Sequence, residues 1–166
     1  MEWVKNLLDE FEKKEADKQK QLEDERKEHE ARDRRIQEQW EALVEKEFHP
    51  YLRQIERVVK EKNYPARIIR TSGASISGKT KLMKIGLEVG SQKIKTASPR
   101  TKGDHAIIFS RKPFDDKIEI DYSRPETTPV RKILISPKTL KVEEISKEVL
   151  EKEMKDFLSG IFFFKE

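Results

Sequence analysis

Residues 2–48 read EWVKNLLDEFEKKEADKQKQLEDERKEHEARDRRIQEQWEALVEKEF and contain neither Gly nor Pro. Glu, Lys, Arg, Gln, Leu and Ala dominate this stretch, and these residue types lose least when they enter a helix. Pro50 follows closely, and proline fits the first turn of a helix better than its interior because it lacks an amide hydrogen. The sequence therefore predicts a charged helical arm over residues 1–49, with a joint at Phe48-His49.

The arm carries an incomplete seven-residue repeat. One seam register is mostly apolar: Leu8, Glu15, Leu22, His29, Ile36 and Leu43. The companion register is mostly polar: Phe11, Lys18, Glu25, Arg32 and Gln39. A stable coiled coil needs apolar residues in both registers, so two interpretations stay open: a solvated spacer, or a weak coiled coil that forms a homo-oligomer. The predicted oligomer interface consists of Leu8, Phe11, Leu22, Ile36, Trp40 and Leu43.

Beyond Pro50, apolar residues repeat at helical spacing and predict a second helix over residues 50–63 that packs on the domain after it. The period then changes to two, because Ile85, Leu87 and Val89 alternate with polar or small residues, as in a half-buried strand. Further strands are predicted near 68–69, 105–110, 117–122 and 131–135, with a turn over 112–116 and a helical apolar face near 142–161. The fold class is α+β, in which the long charged helix precedes a small antiparallel sheet of four to five strands packed with a C-terminal helix over 64–166.

The composition opposes a single compact globule. Charged residues make up 41% of the chain and hydrophobic residues 34%, against about 25% and 45–50% in typical domains. The chain has no cysteine, which excludes disulfides and thiolate metal sites. No signal-peptide pattern and no apolar run near the ~20 residues of a membrane span are present. A cytoplasmic protein without membrane contact is expected.

Positive charge is concentrated in residues 66–103, where Glu88 is the one acidic residue. This basic segment predicts a polyanion-binding surface, whose partner is an acidic protein or a nucleic acid. No aromatic residue lies between Tyr64 and Phe109, so stacking on single-stranded bases is poorly supported. The candidate polyanion-binding residues are Arg67, Arg70, Lys79, Lys81, Lys84, Lys93, Lys95, Arg100 and Lys102.

The segment Gly73-Ala-Ser-Ile-Ser-Gly78-Lys79-Thr80 matches the phosphate-loop pattern of nucleotide-binding proteins. In that motif a helix follows the loop and its N-terminus helps to hold the phosphates. Here the residues after Thr80 alternate like a strand, so a Gly/Ser connection between two antiparallel strands is the simpler interpretation. A nucleotide site at Gly73, Gly78, Lys79 and Thr80 stays as an alternative.

Enzymatic chemistry has little support in the sequence. His29, His49 and His105 have no second histidine or cysteine at helical spacing, and no nucleophile and base can be paired from spacing. The sequence therefore predicts no catalytic residues, no cofactor and no metal. The expected function is that of a non-enzymatic interaction protein, which oligomerises through its arm and presents a basic surface to an acidic partner.

Overall fold

The computed structural model describes residues 1–74, 80–94, 105–123 and 138–163. The helices are α1 (Glu2–Leu43), α2 (His49–Glu61) and α3 (Lys147–Phe162), with a π-helical turn over Val44–Phe48 between the first two. The strands are β1 (Ala66–Ala74), β2 (Thr80–Val89), β3 (His105–Arg111), β4 (Lys117–Ser123) and β5 (Lys138–Lys141). This arrangement confirms the predicted α+β fold.

The joint predicted at Phe48-His49 is a π-helical turn rather than a break in the helix. The amide of His49 bonds the carbonyl oxygen of Val44, five residues earlier, and both residues keep helical dihedral angles. Pro50 lies in the first turn of α2, where it has no amide hydrogen to donate. A π turn inserts one residue into the helix, so the backbone hydrogen bonds at that point span five residues and not four. The helix therefore continues past the proline to Glu61.

The five strands form one antiparallel sheet in sequential order, β1-β2-β3-β4-β5. The predicted hairpin is confirmed, because β3 and β4 flank a turn over residues 112–116 and pair from Ala106 with Ser123 to Arg111 with Ile118. The strands predicted near 68–69 and 83–89 are β1 and β2. The strand predicted at 131–135 lies outside the described residues. The fifth described strand, β5, is formed by Lys138–Lys141.

One face of the sheet carries the core. Strand pairing brings Ile85, Phe109 and Ile120 into one row across β2, β3 and β4, and all three side chains are buried. Helices cover this face from two parts of the chain. The continuous helix of residues 2–61, here called the rod, contributes Trp40, Val44, Phe48 and Leu52, and α3 contributes Leu150, Met154 and Phe157. Because strand side chains alternate between faces, the opposite face holds the more polar residues of each strand.

The rod packs on the sheet from Asp33 onwards. Its buried residues are spaced by three, four or seven positions: Asp33, Gln37, Trp40, Val44, Phe48, Leu52 and Val59. This spacing keeps them on one side of a helix. Before Asp33, every residue of α1 is exposed except Val4, which is partly buried. At about 1.5 Å per residue, the projecting part of the arm is roughly 45 Å long.

Candidate interaction surfaces

The projecting arm ends in an exposed apolar stripe, here called the arm tip and formed by Trp3, Leu7, Leu8 and Phe11. Their side chains are 67%, 60%, 54% and 61% exposed. Positions three and four apart lie on one helix face, so these residues form one continuous stripe. Leu22 is also 53% exposed farther along the arm. The arm tip is an apolar surface that the described part of the chain does not cover.

The six residues predicted as an oligomer interface divide into two groups. Leu8, Phe11 and Leu22 lie on the projecting arm and are exposed. Trp40 is fully buried in the core of its own chain, and Ile36 and Leu43 pack against that core. The helix meets the sheet at Asp33, so its later apolar residues face the sheet. Trp40 is therefore inaccessible to a second chain in this fold, whereas Leu8, Phe11 and Leu22 are accessible.

A buried polar network, here called the clamp, joins α1 to the sheet through Asp33, Gln37 and Arg111. Arg111 is 2% exposed; its Nη2 donates to Asp33 Oδ1 and to the Asp33 carbonyl oxygen, and its Nη1 donates to Gln37 Oε1 at 2.7 Å. Gln37 Nε2 and Trp40 Nε1 both donate to the carbonyl oxygen of Leu82, at 2.9 and 3.1 Å. Because each contact joins the helix to β2 or β3, the clamp fixes the angle at which the arm leaves the sheet.

The Asp33 carboxylate is the charged centre of the clamp. It accepts the amide hydrogen of Phe114 at 2.9 Å, and the Lys81 ammonium lies 3.7 Å from its second oxygen. Burial alone would raise the pKa of this carboxyl, but the hydrogen bonds from Arg111 and Phe114 and the charges of Arg111 and Lys81 hold the pKa below its usual value. The carboxylate is therefore ionised at neutral pH and compensates the buried guanidinium.

The sequence prediction missed the clamp, although two patterns pointed to it. Arg111 follows Ile107 and Phe109 at the two-residue period of β3, which aims its side chain at the core face. Asp33 and Gln37 precede Trp40 at helical spacing and so share its face. A buried arginine needs an acidic partner, so these patterns mark Arg111 and Asp33 as candidate buried polar residues, although they do not show that the two meet.

The basic segment does not form one continuous free surface among the described residues. Arg67 on β1 binds Glu88 on β2, with its Nη2 2.6 Å from Oε2. Arg70 binds Glu45 in the π-helical turn, and Lys81 approaches Asp33 in the clamp. The first pair lies on the face away from the helices, whereas the other two reach toward the rod. Three of the described cations are therefore paired with carboxylates and point in different directions.

Lys84 and Lys93 are the exposed cations of the basic segment for which no carboxylate contact is described. Lys84 lies on β2 opposite Thr71, and Lys93 places its ammonium 5.8 Å from the centre of the Tyr64 ring. Lys79, Lys95, Arg100 and Lys102 lie outside the described residues. The polyanion-binding surface therefore stays a prediction.

The phosphate-loop match lies in a hairpin. Gly73 belongs to β1 and pairs with Lys81, while Thr80 begins β2 and pairs with Ala74. A strand therefore follows the motif where a phosphate loop requires a helix whose amide groups face the phosphates. Gly78 and Lys79 lie outside the described residues.

An apolar groove of about 820 Å³ runs between α2 and α3. Both helices pack on the same face of the sheet, and their outer surfaces leave this cleft open. Its apolar lining is Tyr51, Ile55, Met154, Leu158 and Phe162, and its charged edge is Glu148, Glu151, Lys152 and Lys155. The groove is a further exposed apolar surface, separate from the arm tip.

A second buried carboxylate, Glu153, anchors α3 to the sheet. Its oxygens accept hydrogen bonds from the Tyr122 hydroxyl at 2.5 Å and from the Lys138 ammonium at 3.1 Å. Burial, followed by the hydrogen bond to Glu153, raises the pKa of the Tyr122 phenol above its usual value. Tyr122 therefore stays protonated and acts as a donor, which is a structural role.

Metal and membrane sites are not indicated in the described part of the chain. Within residues 1–74, 80–94, 105–123 and 138–163, no three His, Asp or Glu side chains group as metal ligands. The histidines lie on separate elements, and His29 contacts the ring of Phe114 with centroids 5.4 Å apart. In the same ranges, no helix combines the length and apolar character that crossing a bilayer requires.

Comparisons with protein-family models, with curated proteins and with solved structures gave no significant match to this chain.

Proposed function

We propose that this chain is a non-enzymatic interaction protein that forms homo-oligomers through the projecting part of its arm. The observation that carries the proposal is the arm tip, where Trp3, Leu7, Leu8 and Phe11 are each more than half exposed. Fully burying a large apolar side chain contributes about 1.5–3 kcal/mol, so covering this stripe with a second chain offsets part of the cost of association. The clamp supports the proposal because it holds the arm at a fixed angle to the sheet.

Self-association through the arm would join two sheet domains. The domain would then present its basic segment to an acidic protein, with Lys84 and Lys93 as exposed contributors. We place this activity in the cytoplasm, in keeping with the absence of cysteine from the chain. Nucleic-acid binding and nucleotide binding stay alternatives, and neither is favoured by the ion pairs and the hairpin described above.

The test is sedimentation equilibrium on the full chain and on a Leu8→Glu/Phe11→Glu variant. We expect the wild type to dimerise with increasing concentration and the variant to stay monomeric, because a charge in an apolar interface loses its hydration. The matched control is Val58→Glu: Val58 is 53% exposed on α2, close to the 54% of Leu8. This control should dimerise like the wild type.

Circular dichroism should give the same helix content for all three proteins, which shows that any change lies in association. A monomeric wild type at all concentrations would refute the proposed function. A Leu8→Glu/Phe11→Glu variant that dimerises as strongly as the wild type would refute the arm tip as the interface.

A further inference from the structure

This inference rests on the proposed self-association of the arm. The residues of its two seven-residue registers, here called the seam, distinguish parallel from antiparallel pairing of two chains. In a parallel dimer in register, each seam residue faces its own copy. Glu15, Lys18, Glu25 and Arg32 are all seam residues, so a parallel dimer would contain four layers of like charges. Like charges in such contacts are destabilising. The sequence of the seam therefore opposes the parallel arrangement.

One antiparallel register removes every like-charge layer. In this register, residue 4 of one chain faces residue 29 of its partner, so the numbers of any two facing residues add up to 33. Each seam residue of one register then faces one of the other register, as antiparallel coiled coils require. The facing pairs, each present twice, are Met1 with Arg32, Val4 with His29, Leu8 with Glu25, Phe11 with Leu22, and Glu15 with Lys18. Apolar residues meet at one layer and opposite charges at another.

Shifting the register by one heptad in either direction is less favourable. A register one heptad longer would place Glu15 opposite Glu25 and would set the partner's Val4 against Ile36, which packs on the core of its own chain. A register one heptad shorter would set Phe11 against Glu15, and it would lose both the contact of Phe11 with Leu22 and the pairing of Glu15 with Lys18. The charges and the packing of Ile36 therefore oppose the longer register, and the lost apolar and opposite-charge contacts oppose the shorter one.

An exposed aromatic residue lies close to the place that the partner's arm tip would take. Phe114, in the turn between β3 and β4, is 59% exposed and contacts His29. In this register Val4 faces His29, so the partner's Trp3 and Val4 would lie beside Phe114. The contact would cover apolar surface on both chains. The turn residue Phe114 thus extends the interface from the arm to the sheet domain.

We infer that two copies of this chain pair through residues 1–32 as an antiparallel coiled coil, in which each arm tip reaches the β3–β4 turn of its partner. The chain has no cysteine, so introduced cysteines report the pairing without background. Leu8→Cys and Glu25→Cys are made in separate chains, one of which carries an affinity tag. In the inferred register, position 8 of one chain faces position 25 of its partner. Position 8 of one chain and position 8 of the partner lie roughly 25 Å apart, and so do the two positions 25. A disulfide needs Cα atoms within about 7 Å.

We expect oxidation to cross-link the mixture of both chains as the tagged heterodimer and to leave each single variant uncross-linked. Cross-linking of each variant with itself would overturn the inference in favour of parallel pairing, while the proposed function would stand. A dimer that sediments as such but forms no cross-link in any sample would also overturn this register. A chain that never dimerises in sedimentation would instead refute the proposed function itself.

Charge reversal gives a second measurement that leaves the apolar layers intact. In the inferred dimer, Glu15→Lys creates two like-charge contacts with Lys18 and should weaken dimerisation about tenfold. The double variant Glu15→Lys/Lys18→Glu restores opposite charges and should recover the affinity. A parallel dimer would respond differently, because Glu15→Lys only exchanges one like-charge layer for another. Unchanged affinity in the single variant would overturn the inference.

Discussion

Removing the Asp33 carboxylate should strongly destabilise the protein, because Arg111 would stay buried without its counter-charge. The Arg111 side chain is 1% exposed and the Asp33 side chain 7%. Asp33→Ala also leaves the Phe114 amide without its acceptor. Breaking a buried ion pair by removing one partner typically costs about 3–5 kcal/mol. This is a large fraction of the roughly 5–15 kcal/mol that stabilises an ordinary domain.

Urea unfolding measured by tryptophan fluorescence checks this prediction. Trp40 is fully buried, and its ring meets that of Phe48 edge-on with the ring centroids 5.6 Å apart. Its fluorescence emission therefore reports the loss of the core. Trp3 is exposed on the arm tip and is replaced by Phe in all proteins compared. With a slope of about 1–3 kcal/mol per molar urea, the midpoint should fall by about 2 M in Asp33→Ala. The proteins are compared at one concentration, because self-association contributes to apparent stability.

An exposed ion pair provides the matched control. Glu45 and Arg70 form a salt bridge between the π-helical turn and β1, with side chains 57% and 41% exposed. Surface pairs of this kind contribute about 0–1 kcal/mol, so Glu45→Ala should shift the midpoint much less. The double variant Asp33→Leu/Arg111→Met should recover most of the loss, since it removes both buried charges. A loss in Asp33→Ala no larger than in Glu45→Ala, or a double variant as unstable as Asp33→Ala, would refute the role of the clamp.

The remaining predictions concern pH and two glycines. The pKa of Asp33 is lowered by folding, so its stabilising effect is complete above the usual aspartate pKa of about 3.9 and is lost as the pH falls through the lowered value. Between about pH 5 and pH 2, the free energy of unfolding should fall less in Asp33→Asn than in the wild type, because asparagine does not titrate. Equal losses, measured by urea unfolding at each pH, would contradict this. Gly86→Ala should lower stability by about 1–3 kcal/mol, because its Cβ would lie 2.2 Å from the Ile107 carbonyl oxygen. Gly160→Ala, whose Cβ would meet no atom within 4 Å, should raise stability by about 0.5–1 kcal/mol, and thermal melts with the opposite order would refute both expectations.

Local patterns in the sequence predicted most of the secondary structure. The alternation in β2 and the turn at 112–116 were identified because strand periodicity and turn composition depend on neighbouring residues. Pro50 was correctly placed in the first turn of a helix. The continuation of the rod was missed, because the π-helical turn at Val44–Phe48 has no local sequence signature comparable to that of proline.

The candidate sites depended on contacts that the sequence does not encode locally. Helical spacing places Trp40 beside Ile36 and Leu43, which continue the register of Leu8 and Leu22, but it does not reveal what covers that face. Tertiary packing places Trp40 on the chain's own sheet and leaves the arm tip exposed. The basic segment looked unpaired in sequence, although the cross-strand neighbour of Arg67 is Glu88, and Arg70 reaches Glu45.

The sequence by itself determined a long charged helix, an α+β domain and a chain without cysteine chemistry, because composition and period are properties of adjacent residues. Only the tertiary structure decided where the arm stops projecting and where the sheet begins to cover it. Asp33 and Arg111 are 78 residues apart in the chain, and they pair because core packing brings α1 and β3 together. No local pattern in the sequence contains that packing.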